Sequence, residues 1–257
     1  MLRLVRALPA SPAVFLSRTI VLVYLALKPG YRAEIRRNLA LMCGRNSRWF
    51  WVGNAWQVGQ NLALMAKLGT NQGNKAIDNA EVCWENTTQK LLEQDLHAVM
   101  VSFHFGAWEY LPMLFSALGF RVRLVTGEQQ DQGLARYLAG IRSGSDVKLV
   151  SGLREAELGM ARPGLTGFML DNTARGRRTW VELDRVRVGI PSLAFRMARA
   201  RQLRVVPLFA RFENNRLVVE VYGPTDERGV VLALLKQVRQ RPEHWVFWAK
   251  AGALEAS

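Results

Sequence analysis

Apolar residues recur in two rhythms along this chain. From about Tyr31 to Leu92 they fall at helical spacing, with Ile35, Leu39 and Met42 in one group and Trp56, Leu62 and Met65 in another. Gly44, Gly69 and Gly73 punctuate that helical region. Beyond His97 short apolar runs rich in β-branched residues take over: HAVMVSF, RVRLV, VKLV, LTGFML, LRVVPLFARF and RLVVEVYG. The last two flank Asn214-Asn215 and predict a hairpin. Helical patterns lie between the runs: Tyr110 to Leu118, a stretch ending at Ile141, Arg154 to Ala161, Ser192 to Ala200 and Glu227 to Gln240. Strands alternating with helices predict an α/β architecture, a mostly parallel central sheet flanked by helices. No internal repeat or low-complexity segment interrupts it.

The first thirty residues follow a different logic. The apolar run Ala13 to Leu27 is fifteen residues long and contains Arg18. Crossing a bilayer core takes about twenty apolar residues, so the run is short unless Arg18 snorkels to an interface. A secretory signal fits poorly, because prolines follow Arg3 and Arg6 and no small-x-small site precedes Lys28. Residues 1–30 read as a membrane-associated helical segment, interfacial or re-entrant, with a buried core helix as the alternative. Trp49, Phe50, Trp51 and Trp56 follow closely, and tryptophan suits a boundary that is apolar on one side and wet on the other. Residues 31–257 then form a single α/β domain.

Composition narrows the partners. Of 257 residues 49% are apolar and 22% charged, enough apolar surface to build a core. Thirty-five Lys and Arg against twenty-one Asp and Glu leave a net charge of +14. Such a balance favours an anionic partner: nucleic acid, an anionic membrane surface or a phosphorylated substrate. Cys43 and Cys83 are the only cysteines and form no CxxC pair, so neither a disulfide framework nor a cysteine zinc site is expected.

The chemistry concentrates at His104-Phe105-Gly106-Ala107-Trp108-Glu109. His104 follows the strand VMVSF, and Gly106 permits a sharp turn into the helix that follows. Ligands of open α/β sheets bind outside the carboxyl ends of strands, where this segment places an imidazole suited to taking a proton. A carboxylate a few residues on, Glu109, is positioned to bind the other ring nitrogen, fix the tautomer and stabilise the imidazolium. His97 and His244 have Ser102 and Ala249 at the same spacing, and no HExxH motif occurs, so no metal site is expected. The alternative is a core histidine beside an exposed glutamate at a helix start.

HFGAWE resembles the H-x4-(D/E) signature of the bacterial lipid A biosynthesis acyltransferases, members of the lysophospholipid acyltransferase superfamily. Other segments resemble that family in the same order: Arg36-Arg37-Asn38-Leu39, Ile141-Arg142-Ser143, the strand Phe168 to Asn172, Val205-Val206-Pro207-Leu208-Phe209, and Arg241 to Trp248. Ala107 and Asn172 depart from the usual Asn and Gln, and 181–186 lacks the family's F-F-G-x-P pattern. The resemblance implies a glycerol-3-phosphate acyltransferase-like fold at the cytoplasmic face of the inner membrane. It implies O-acyl transfer from a thioester, acyl-ACP or acyl-CoA, to a hydroxyl of a lipid or glycolipid. No bound cofactor is expected, and the thioester is a co-substrate. His104 would then be the general base and Glu109 its orienting carboxylate. Arg142 and Asp171 would bind substrate or shape the pocket. Oxyanion donors would come from backbone near Gly106 or from an arginine.

Ten arginines lie between Arg175 and Arg211, with only Glu182 and Asp184 against them. Arg175 and Arg178, just past the Asp171 strand end, are the candidates for an anionic substrate group, since the guanidinium fork binds two oxygens. Arg196, Arg199 and Arg204 read as a solvated basic face. Two other classes compete. One is a catalytically silent membrane scaffold of the same fold. The other is a basic nucleic-acid-binding protein, for which the chain holds no binding motif and its N-terminal apolar run has no use.

Overall fold

The computed structural model describes residues 2–126, 147–171, 177–183, 186–248 and 254–256. Five helices come first: α1 (Leu2–Ala7), α2 (Ala10–Ala26), α3 (Pro29–Cys43), α4 (Phe50–Met65) and α5 (Asn71–Asp78). Then follow β1 (Glu81–Trp84), α6 (Thr88–Asp95), β2 (His97–Ser102), α7 (Tyr110–Ala117), β3 (Val122–Thr126), β4 (Val147–Ser151), α8 (Leu153–Met160) and β5 (Gly164–Met169). The chain continues through β6 (Arg178–Leu183), β7 (Val186–Pro191), α9 (Leu193–Ala200), β8 (Arg204–Glu213), β9 (Arg216–Val221) and α10 (Glu227–Gln240). A short 3₁₀ turn at Pro242–His244 and β10 (Leu254–Ala256) close it.

Seven strands form one sheet in the order β1-β9-β8-β2-β5-β3-β4. From β8 to β4 neighbours run parallel, as the alternation of strands and helices predicts. β9 returns antiparallel to β8, the expected hairpin, and β1 pairs parallel to β9 at the edge. β2 sits in the middle, and from Ala98 on it is buried throughout, as a strand covered on both faces must be. Its side chains alternate between two cores. Val99, Val101 and Phe103 pack with Phe209, Ala194 and Leu234, and Ala98 and Met100 pack with Leu111, Leu114 and Val219.

Four strands, β1, β6, β7 and β10, depart from the sequence reading. β1 interrupts a region expected to be helical throughout; its four residues, EVCW, are half-exposed and their register comes from β9, far away in sequence. β6 and β7 pair antiparallel and, with β10, make a second three-stranded sheet. Arg178, Glu182 and Arg187 interrupt their apolar rhythm, and Arg187 lies over the Trp180 ring at 5.1 Å. The arginines expected on a basic face are largely paired: Arg199 with Glu227 at 2.7 Å and Arg204 with Asp95 at 3.2 Å.

At the N-terminus α2 packs along α4. Gly59 makes the approach possible, since a Cβ there would lie 2.5 Å from the Arg18 Cα. Ala13, Ser17 and Leu25 of α2 are buried, whereas Phe15, Val23, Tyr24 and Leu27 are exposed. Among the described residues no single helix is long and apolar enough to cross a membrane; α2 and α3 meet at a 95° bend.

Candidate active site

The sheet register builds the centre of the site. β2 and β5 pair in parallel from His97 opposite Gly164 to Ser102 opposite Met169. Two residues beyond that last pair, the same register brings His104 opposite Asp171. The Asp171 Oδ1 bonds the His104 Nδ1 at 2.7 Å, and its Oδ2 accepts the His104 backbone N–H at 2.9 Å. A third donor comes from the far end of the chain: the Trp245 indole N–H reaches Oδ2 at 2.9 Å. Three donors satisfy this nearly buried carboxylate and fix it in place. With Nδ1 engaged on a carboxylate, the neutral ring carries its proton there, and Nε2 is the free acceptor.

The turn after His104 is tied down group by group. Gly106 has φ +58°, and a Cβ at this position would fall 2.2 Å from the Ala210 carbonyl oxygen, so only glycine fits. Its N–H donates to the His244 carbonyl at 2.9 Å, and the Ala107 N–H donates to Ala210 at 2.7 Å. The imidazole of His104 is held between Trp108 and Phe247, with ring centroids 5.1 Å and 4.5 Å away. The segment 242–248, which supplies Trp245 and Phe247, is anchored by two buried asparagines. Asn38 donates to the Trp248 carbonyl at 2.5 Å, and Asn54 to the carbonyls of Glu243 and Trp245, both at 2.9 Å. Asn38 belongs to the Arg-Arg-Asn-Leu segment, so two of the distant family-like segments meet at the site.

Of the expected site residues, His104, Asp171 and Arg178 are brought together. Arg178 and Asp171 share the wall of a cavity of about 30 Å³ with Phe103, Ile190, Leu234 and Trp245. The Arg178 guanidinium also donates to the Gly189 carbonyl at 3.0 Å. Two expectations change. The carboxylate on Nδ1 is Asp171 where Glu109 was expected: Glu109 sits at the start of α7 and accepts the Trp108 indole N–H at 3.2 Å. An acid at that position also suits the positive end of the helix. Gly106 shapes the turn but has no N–H to offer an oxyanion, because His244 takes it. Arg142 and Arg175 lie outside the described residues. Trp245 and Phe247 were quoted only as part of a closing segment; nothing local in the sequence marks them as neighbours of His104.

A second histidine lies on the other side of this segment. His244 is buried, stacks on Phe105 at 5.6 Å and stands beside Arg211 and Arg241. Burial, then these two arginines, push its pKa down to about 4. Arg211 is itself held by Glu213 at 2.7 Å and Glu220 at 2.6 Å, and Arg241 also pairs with Glu213.

No family model and no curated protein matches the chain. Among solved structures it is similar to the 1-acyl-sn-glycerophosphate (LPA) acyltransferase PlsC from Thermotoga maritima. The identity is 13% and the TM-score 0.35, with 80% of this chain and 95% of that chain covered.

Proposed function

We propose that the chain is a membrane-associated O-acyltransferase of the lipid A biosynthesis and lysophospholipid acyltransferase type. It moves a fatty acyl group from a thioester, acyl-ACP or acyl-CoA, to a hydroxyl of a lipid or glycolipid. The observation that carries this reading is the His104–Asp171 pair at the carboxyl ends of two adjacent parallel strands, with His104 opening the HFGAWE segment. In the reaction His104 Nε2 takes the acceptor's hydroxyl proton as the oxygen attacks the thioester carbonyl. The tetrahedral intermediate collapses, the C–S bond breaks, and the imidazolium returns the proton to the leaving thiolate. Asp171 holds the ring and stabilises its positive charge while the proton is aboard. Arg178, beside Asp171, is suited to an anionic substrate group or the oxyanion. Neither a metal nor an acyl-enzyme is needed for these steps.

Membrane association at the cytoplasmic face of the inner membrane is part of the same proposal. Aromatic rings on the N-terminal helices, Trp56 and Tyr24 exposed and Trp51 half-buried, carry basic partners: Arg18 over Trp56 at 4.5 Å, Arg32 over Trp51 at 5.3 Å, Lys28 over Tyr24 at 6.0 Å. Such pairs suit anionic headgroups above an apolar boundary. The test is to incubate protein, radiolabelled acyl-thioester and bacterial membrane lipids, and to follow label into the lipid fraction. The native chain is expected to give a labelled lipid and His104→Ala to lose roughly 10²–10⁴-fold of the rate. A native protein that gives no His104-dependent product overturns the reading.

A further inference from the structure

A cleft lies away from His104. It measures about 830 Å³ and lies among α2, α4, α5 and the β8–β9 hairpin. Four cations line it, Arg18, Lys67, Lys75 and Arg216, and no acid does. Two of these are committed elsewhere. The Lys67 ammonium donates to the carbonyls of Arg6 and Leu8, and Arg216 pairs with Glu81 at 3.1 Å. Arg18 and Lys75 have no carboxylate partner among the described residues. Arg18 is bound only through Gln60 and the Trp56 face, and its Nε is buried without an acceptor. A half-buried guanidinium with an unmet donor and no counter-charge is costly unless an anion completes it. The first turn of α2, whose Ala10 and Ser11 line the cleft, holds no acid and no side-chain cap, which adds positive potential. Apolar side chains, Phe15, Leu64, Phe212 and Leu217 among them, share the rest of the wall with neutral polar ones such as Gln72 and Asn214.

We propose that this cleft binds an anionic amphiphile, its phosphate-type headgroup held by Arg18 and Lys75 and its tail laid on the apolar wall. The two halves of the lining demand both parts of such a ligand. Inorganic phosphate leaves the apolar wall wet, and a neutral amphiphile leaves Arg18 uncompensated. The site shares no lining residue with the Asp171–Arg178 cavity, and the inference stands whether or not the chain transfers acyl groups.

The test is calorimetric titration of the full-length protein with dodecyl phosphate below its micelle concentration. Inorganic phosphate and dodecyl maltoside serve as the two half-ligands. Saturable binding of dodecyl phosphate is expected, with each half-ligand at least about tenfold weaker. Arg18→Gln combined with Lys75→Gln is expected to weaken it by about tenfold or more, and Arg18→Lys by less. Lys75→Gln alone, at an exposed position, keeps the comparison valid if the Arg18 variants fold poorly; it is expected to weaken binding severalfold. Added salt weakens binding in the native protein more than in the double variant. Maltoside or inorganic phosphate binding as tightly as dodecyl phosphate overturns the proposal, as does binding untouched by Lys75→Gln. Binding lost in Arg178→Gln but kept in the double variant would place the ligand in the other cavity and overturn it too.

Discussion

Two histidines at the same end of the sheet show what separates a proposed base from a packing residue. His104 and His244 both lie against aromatic rings, and both are bound into the turn that follows β2. The His104 ring has a carboxylate on Nδ1 and keeps 14% of its side chain exposed. His244 is 6% exposed, its Nδ1 has no partner, and its charged neighbours include two arginines. One ring has a fixed acceptor on Nδ1; for the other, burial first and the two arginines second oppose the protonated form. The residue type is the same, and the surroundings of the ring separate the two.

The sharpest way to break this contrast is Asp171→Asn. The shape is kept, but the amide can present its NH₂ to Nδ1 and stabilise the wrong tautomer, leaving Nε2 protonated and unable to accept. Acyl transfer is expected to fall by roughly 10³–10⁴-fold, as the acidic member of a catalytic triad does when made an amide. Single-turnover transfer rates, with thermal unfolding as the control for folding, check it. An Asp171→Asn enzyme within a few-fold of the native rate would show that the carboxylate does not orient the base.

His244 supplies the opposite arm of the comparison, through stability. Its native pKa of about 4 lies below the ordinary 6.5, so between those values the unfolded chain binds a proton that the native chain refuses. Stability is therefore lost as pH falls from about 6.5 towards 4, by an amount on the order of 2–3 kcal/mol. His244→Phe, which fills the same stack on Phe105, is expected to remove that share of the acid slope. Urea unfolding of both proteins at pH 7, 5.5 and 4.5 measures it. Equal slopes in the two proteins would mean that His244 is not held neutral.

Much of this contrast was readable from the chain, though not its decisive contact. Local rhythm gave β2, β8, β9 and α10, because a buried strand or an amphipathic helix writes its burial into consecutive residues. It missed β1 and β10, short strands whose partners lie elsewhere in the sequence, and β6 and β7, neighbours in the chain whose apolar rhythm charged residues break. His104 was legible from its place after a strand, and Asp171 only from the resemblance of the segment Phe168 to Asn172. That the two face each other depends on the β2–β5 register, which neither segment states alone. Glu109 drew attention because it is near in sequence. Nearness in space runs instead across the sheet to Asp171 and on to Trp245, and a single chain read linearly does not order such contacts.

The smallest expected effect tests how finely the contrast is built. Trp245→Phe keeps the ring packed against Trp248, whose centroid is 4.9 Å away, but removes the indole N–H from Asp171 Oδ2. The carboxylate then keeps the His104 backbone N–H and Nδ1 as donors and loses one restraint on its rotation. A charged hydrogen bond of this kind contributes about 1.5–3 kcal/mol, but only the part felt at Nδ1 reaches the reaction. A fall in kcat of about three- to tenfold is expected, with KM for the thioester unchanged, since Trp245 positions the base rather than the substrate. The His104 Nδ1–H proton resonance is expected to move in the same variant, which a loss of packing alone would not cause. A changed KM with an unmoved resonance would make Trp245 a wall of the substrate cavity instead of a support for the carboxylate.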